Sequence, residues 1–312
     1  MARLRGKRLY FSQKNTTNKV EVMSNKRPNI LFIMSDDQAA NAISAYGSRL
    51  AAQAPTSNLD RIGNEGIRLE NCHCVNSICT PSRATILTGL HSNCNGVKAL
   101  RDVLPDDQVL VSELLQSAGY QTAMFGKSHI ETKPRGFDDW AVLPGQGRYY
   151  DPLFVYPDQE SAQGRIIAEE ELASMLKETD RQRNNFGTIA QKEGYVTDIV
   201  TDMTLEWLDQ RDTDRPFFLC CQHKAPHDDY IYDRQYEHLY DDVIFEEPET
   251  LFESESARQQ ISRKYGPTIS ERWKKRSMVT FMLMNENYPN GGPVDFSGLD
   301  FNDRARKAYQ KY

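Results

Sequence analysis

The chain has 312 residues, 39% of them hydrophobic and 26% charged, which is enough apolar mass for a sizeable core in one large domain or two modest ones. A net charge of -6 argues against a protein built to bind nucleic-acid phosphates or an anionic membrane, so a small anionic substrate must be met by a local cluster of cations. Six cysteines, at 72, 74, 79, 94, 220 and 221, fit neither a dense disulfide framework nor a regular zinc site, and no run approaches the roughly 18 apolar residues of a membrane span.

Residues 1–27 form a basic, polar tail without the apolar centre of a signal peptide, so the cytoplasm is the default location; Met23 offers a second start. The folded domain is expected over 28–312. Residues 29–34 (NILFIM) are continuously apolar and end in Ser35-Asp36-Asp37, the pattern of a strand buried on both faces in a parallel sheet. Thr56 caps a turn of helix running toward Gly63. Cys72-His73-Cys74 alternates metal-type ligands, but without a second pair it reads as small buried residues.

Farther on, residues 111–118 form a helix stopped by Gly119, and 122–125 a second apolar strand leading into Gly126-Lys127-Ser128-His129. Residues 145–192 are polar and rich in Gly, Tyr, Gln and Asp, an excursion suited to a substrate-facing rim. Residues 197–210 carry apolar positions at helical spacing, and 217–221 form a third strand ending in Gln222-His223-Lys224-Ala225-Pro226-His227. Strand and helix in alternation predict an α/β fold, a mostly parallel central sheet with helices on both faces. In such sheets ligands bind beyond the carboxyl ends of the strands, and three ends here carry carboxylate, ammonium or imidazole groups.

The densest chemical signal is Ser77-Ile78-Cys79-Thr80-Pro81-Ser82-Arg83-Ala84-Thr85-Ile86-Leu87-Thr88-Gly89. Pro81 suits a first helical turn, so Cys79 is expected just before a helix N-terminus that favours an anion, with Arg83 one turn on, on the same face. Taken singly, such a cysteine reads as a small buried residue and such an arginine as solvated.

The thirteen-residue run resembles the sulfatase signature at every position. Gly119-Tyr120-Gln121-Thr122 followed by Gly126-Lys127-Ser128-His129 is similar to the family's second signature, with Phe125 and Ser128 departing from the usual residues before the glycine and the histidine. The resemblance implies an alkaline-phosphatase-like fold and hydrolysis of a sulfate ester, with Cys79 converted by a maturase to formylglycine. One hydroxyl of the hydrated aldehyde attacks sulfur and the second drives release of sulfate, which a thiol does not supply. It also implies a calcium ion, with magnesium possible, held by Asp36, Asp37 and the modified residue 79. Lys127 then contacts sulfate and a formylglycine hydroxyl. His129 takes the proton of the hydroxyl that collapses, and His227 meets the sulfate or its leaving oxygen as general acid. His223 either contacts substrate or only packs.

The strand ending in Cys220-Cys221-Gln222-His223-Lys224-Ala225-Pro226-His227 resembles carbohydrate sulfatases more than aryl-only ones, which implies a sulfated carbohydrate as substrate. A phosphoester or phosphonate hydrolase of the same superfamily, usually with Ser or Thr as nucleophile, is the enzymatic alternative, and an inactive binding fragment the other. The family's later metal ligands, an Asp and its neighbour after a further strand, have no counterpart in 228–312. Asp295, Asp300 and Asp303 there follow no strand, so the expectation is a domain lacking its C-terminal part.

Overall fold

The computed structural model describes residues 27–246 apart from Lys177 and Asp229. The polar tail and residues 247–312, including Asp295, Asp300 and Asp303, lie outside the described residues. Strand β1 (Ile30–Met34) is followed by helices α1 (Ser57–Glu65), α2 (Cys79–Thr88), α3 (Ser92–Asn95) and α4 (Val111–Ser117), then by strands β2 (Gln121–Gly126), β3 (Asp139–Val142), β4 (Leu153–Tyr156) and β5 (Arg165–Ile166). Helices α5 (Glu169–Met175) and α6 (Glu178–Arg183), strand β6 (Thr188–Gln191), helix α7 (Val196–Gln210) and strand β7 (Phe217–Gln222) complete the order.

The seven strands make one open sheet in the order β1-β7-β2-β3-β4-β6-β5. The first four are mutually parallel, whereas β4, β6 and β5 join through antiparallel pairings. The three strands expected from the sequence are therefore adjacent, with β7 seated between β1 and β2. Residues 145–192 depart from expectation, because they are not only a rim: they contribute β4, β5 and β6 to the sheet, and Leu153–Tyr156 is buried throughout.

Side chains alternate across the strands, so each face builds its own core. Met124, Phe218 and Cys220 join Ala84, Leu87 and Leu110 on one side, and Ala123, Phe125, Leu219 and Cys221 meet Val196, Val200 and Met203 of α7 on the other. The expectation that β1 is buried on both faces fails. Ile30 and Phe32 pack on the first core, but α7 covers only the inner strands of the opposite face and leaves Leu31 and Ile33 44% and 57% exposed. Thr56 stands at the start of α1 without capping it; its hydroxyl bridges Ser44 and Asp60, and the helix runs past Gly63 to Glu65. Cys72 and Cys74 are exposed rather than buried. No helix among the described residues is long and apolar enough to cross a membrane.

Close approach of β2 and β7 explains one glycine. Gly126 has φ +100°, and a Cβ there would lie 2.0 Å from the carbonyl oxygen of Gln222. That same carbonyl accepts the backbone N–H of Lys127 at 2.8 Å, which sets the point at which the chain leaves the strand.

Candidate active site

Beyond the carboxyl ends of β1, β7 and β2 lies a cluster of charged groups against the first turn of α2. Cys79 is the first residue of α2 rather than the residue before it, and Pro81 occupies that first turn, where a missing N–H costs no helical bond. The sulfur of Cys79, a carboxylate oxygen of Asp36 and a ring nitrogen of His227 lie within 4.8 Å of one another. Burial opposes ionisation of Cys79, but a hydrogen bond from His227 and the charge of Lys127 outweigh it, holding the thiol below its ordinary value.

Asp36 caps β1 and is only 4% exposed. Its backbone N–H donates to the Ala225 carbonyl at 3.1 Å, tying the end of β1 to the loop after β7. Its carboxylate accepts from Lys127 and faces Nη2 of Arg83 at 3.6 Å. Burial pushes the Asp36 carboxyl up, yet these two cations prevail and its pKa is lowered. Lys127 is fully buried, and its Nζ also donates to Oε1 of Gln146 at 2.5 Å. Arg83 is 2% exposed rather than solvated; it donates to Oε1 of Gln222 at 2.7 Å and to the backbone carbonyl of Lys127. Burial depresses both cations, with Asp36 opposing.

The imidazoles differ among themselves. His227 is part-buried, with Nδ1 bonded to the Asp228 carbonyl at 2.9 Å and Nε2 3.7 Å from Asp37. The hydrogen bond to Cys79 raises its pKa above the usual 6.5, against the effect of burial. Tyr149 donates its hydroxyl to the His227 carbonyl at 2.5 Å and fixes that loop from below. His129 is buried and held to about 3, first by burial and then by the charges of Lys127 and Arg83. The spacing of two, which in an extended segment puts Lys127 and His129 on one side, does not act that way here, because β2 ends at Gly126 and His129 has φ +46°. His223 turns its Nε2 toward Cys221 at 3.4 Å, and its Nδ1 is buried without a hydrogen-bond partner.

Asp36, Cys79, Arg83, Lys127 and His227 thus come together as expected, while Asp37 lies at the margin with its side chain 56% exposed and φ +62°. Sequence reasoning missed Gln146, Tyr149 and Gln222. Gln222 was discoverable as the last residue of the third strand, whereas Gln146 and Tyr149 enter from residues 145–192 with no motif to mark them. For a hard cation, Asp36 and Asp37 offer carboxylate oxygens of the right kind, but these are two groups against the roughly six to eight oxygens that calcium takes. The thiol is a soft ligand; an oxygen at position 79 suits such an ion better. A cleft lined by Asp139, Trp140, Tyr156 and Trp207 opens at the opposite, amino ends of the strands and contains none of these groups.

Comparisons with known proteins identify the family. The Sulfatase family model matches residues 28–271. The chain is 39% identical over 247 residues to an N-acetylglucosamine-6-O-sulfatase of Bacteroides thetaiotaomicron, covering 78% of this chain and 38% of that protein. It is 29% identical to the human N-acetylgalactosamine-6-sulfatase, covering 64% and 40%. The solved structure of BT4656 in complex with its substrate D-glucosamine-2-N,6-O-disulfate superposes with a TM-score of 0.68 at 33% identity, covering 92% of this chain and 55% of that one. A second, Ps i-CgsB with a neocarrahexaose, shares the fold at TM-score 0.55 and 21% identity over 85% of this chain and 57% of that one. The chain spans from 38% to 57% of the length of these proteins. With a family match over most of its length and a site built around the signature cysteine, the chain belongs to the sulfatase family.

Proposed function

We propose that the protein releases inorganic sulfate from a sulfated carbohydrate, a 6-O-sulfated amino sugar being the substrate class favoured by its 39% identity to an N-acetylglucosamine-6-O-sulfatase. The observation that carries this reading is the grouping of Asp36, Lys127 and His227 around the Cys79 side chain at the start of a helix. Converted to formylglycine by a maturase, residue 79 would supply, in its hydrated form, an oxygen nucleophile and a second hydroxyl. Asp36 and Asp37 would hold a calcium ion, which supplies charge neutralisation at the sulfuryl oxygens.

The chain's own residues do the rest. Position 79 opens α2, and the positive end of the helix dipole there favours a developing anion. Lys127 is fully buried, so its charge acts on a bound sulfate through a poorly screening medium, and Gln146 and Asp36 fix the direction of its Nζ. Arg83 does not reach outward. Its guanidinium is spent on Gln222, Asp36 and the Lys127 carbonyl, so its part is to hold the floor of the site. His227, with a ring nitrogen within 4.8 Å of position 79 and of Asp36, is placed to give a proton to the departing alcohol. His129, held to about 3, stays neutral and accepts the proton of the second hydroxyl.

Two measurements test the proposal together. Mass spectrometry of the peptide containing Cys79, after co-expression with a maturase, should show formylglycine in place of the thiol. Sulfate release from a panel of sulfated monosaccharides should then rank 6-O-sulfated glucosamines first. A fully modified protein that cleaves phosphate esters faster than every sulfate ester would sink it.

A further inference from the structure

One buried charged group beside the site has no part in the mechanism above. Glu131 lies two residues beyond His129, with its side chain 6% exposed and Oε1 3.4 Å from Nε2 of His129. Its other oxygen, Oε2, is 3.2 Å from Nη1 of Arg183, the last residue of α6. The backbone is bent to make this contact. His129 and Glu131 both have left-handed φ, +46° and +60°, and the residue between them, Ile130, is 1% exposed in the first core. Two non-glycine residues in that region within three positions are strained, and such strain persists where the surroundings impose it. Here Ile130 is anchored in the core and Glu131 is paired with Arg183, and two side chains of one short segment face each other.

A neutral imidazole carries one N–H and one lone pair, and the partner of one nitrogen decides which is which. With a carboxylate on the Nε2 side, the proton belongs on Nε2. The remaining nitrogen, Nδ1, is buried and has no hydrogen-bond partner among the described residues. We propose that Glu131 is a positioning residue for His129: it accepts the Nε2–H and so leaves the Nδ1 lone pair as the base for the hydroxyl on residue 79, while Arg183 clamps the carboxylate. In the step itself the hydroxyl proton would pass to Nδ1, the freed O–H pair would close the carbon–oxygen double bond of residue 79, and the carbon–oxygen bond to sulfate would break with its electron pair leaving on sulfate; the imidazolium so formed lies against an anion instead of in an apolar wall. The clamp gives residues 145–192 a link to the chemistry, because Arg183 belongs to that excursion. This proposal rests on the reading of His129 as the proton acceptor.

The test uses the full-length, matured and calcium-loaded protein labelled with 15N-histidine. His129→Ala identifies the His129 ring signals by their loss. The expected result is an Nε2–H tautomer in the unsubstituted protein and a shift toward the Nδ1–H form in Glu131→Ala. Glu131→Gln, which keeps an acceptor of the same size, retains the tautomer yet loses the counter-charge; it also serves if the alanine variant does not fold. Both variants should lower kcat by about tenfold or more with KM unchanged. An Nδ1–H tautomer in the unsubstituted protein, or an unchanged kcat in the Glu131 variants while His129→Ala is impaired, overturns the role of Glu131 alone. An unimpaired His129→Ala overturns the base assignment beneath it, and the proposal falls with that.

Discussion

Replacing Asp36 by Asn in calcium-free buffer should destabilise the protein far more than loss of one surface charge. Asp36 is the counter-ion shared by Lys127, which is fully buried, and Arg83, which is 2% exposed. An asparagine of the same shape leaves two cations in a medium that does not solvate them, and breaking a buried pair in this way costs about 3 to 5 kcal/mol. With two cations orphaned, the upper part of that range is expected. For a domain of this size each kcal/mol moves Tm by about 2 to 4 °C, so the shift should be on the order of 10 °C. Calorimetry and urea titration of Asp36→Asn, Lys127→Met and the double variant form a cycle. Removing both charges should be less damaging than the sum of the single changes by roughly 2 kcal/mol, because the double variant leaves no lysine charge to be compensated. A loss below about 1 kcal/mol for Asp36→Asn, or strict additivity, would refute the view that this trio is a coupled buried unit.

Other expectations follow from the same geometry. His227→Ala should slow hydrolysis of sugar sulfates by about 10² to 10⁴, and much less for an aryl sulfate whose phenolate leaves without protonation; equal losses on both substrates would remove the general-acid role. Because His227 must carry a proton, kcat on sugar sulfates should fall as pH rises and His227 loses it, and the same alkaline fall persisting in His227→Ala would contradict this. In the unmodified protein, where the hydrogen bond to Cys79 raises the His227 pKa above 6.5, the histidine's contribution to stability is complete below 6.5 and is lost as pH rises through the folded-state value; urea titration across pH before and after maturation should show this dependence only in the thiol form. Gly126→Ala should cost on the order of 2 kcal/mol or more in urea unfolding, given φ +100° and the 2.0 Å approach to the Gln222 carbonyl, and should lower kcat by displacing Lys127. Met124→Ala, in a fully buried position of β2, should cost about 2 to 5 kcal/mol, whereas Ile33→Thr on the exposed side of β1 should cost less than about 1.

The chemistry of this protein was legible in local sequence because it is carried by short motifs at element ends. Asp36 follows an apolar run, Cys79 and Arg83 flank a helix-starting proline, and Lys127 and His227 follow strands. A strand end or a first helical turn fixes where a side chain projects, so those positions could be anticipated without the fold. What the sequence did not determine depends on contacts between distant segments. Whether β1 is covered on one face or two depends on how far α7 reaches across the sheet, and hydropathy shows only that both faces of β1 are apolar. Strands β4 to β6 lie in a polar stretch whose few apolar residues gain their meaning from pairing, β4 with β3, β6 with β4 and β5 with β6. Gln146, Tyr149 and Glu131 belong to no motif, since an amide, a phenol or a carboxylate becomes part of a site only when folding removes water and leaves one partner in reach. Residue types and their order decided which chemistry is present; packing decided which groups are dry, which are paired, and therefore which nitrogen or oxygen holds the proton.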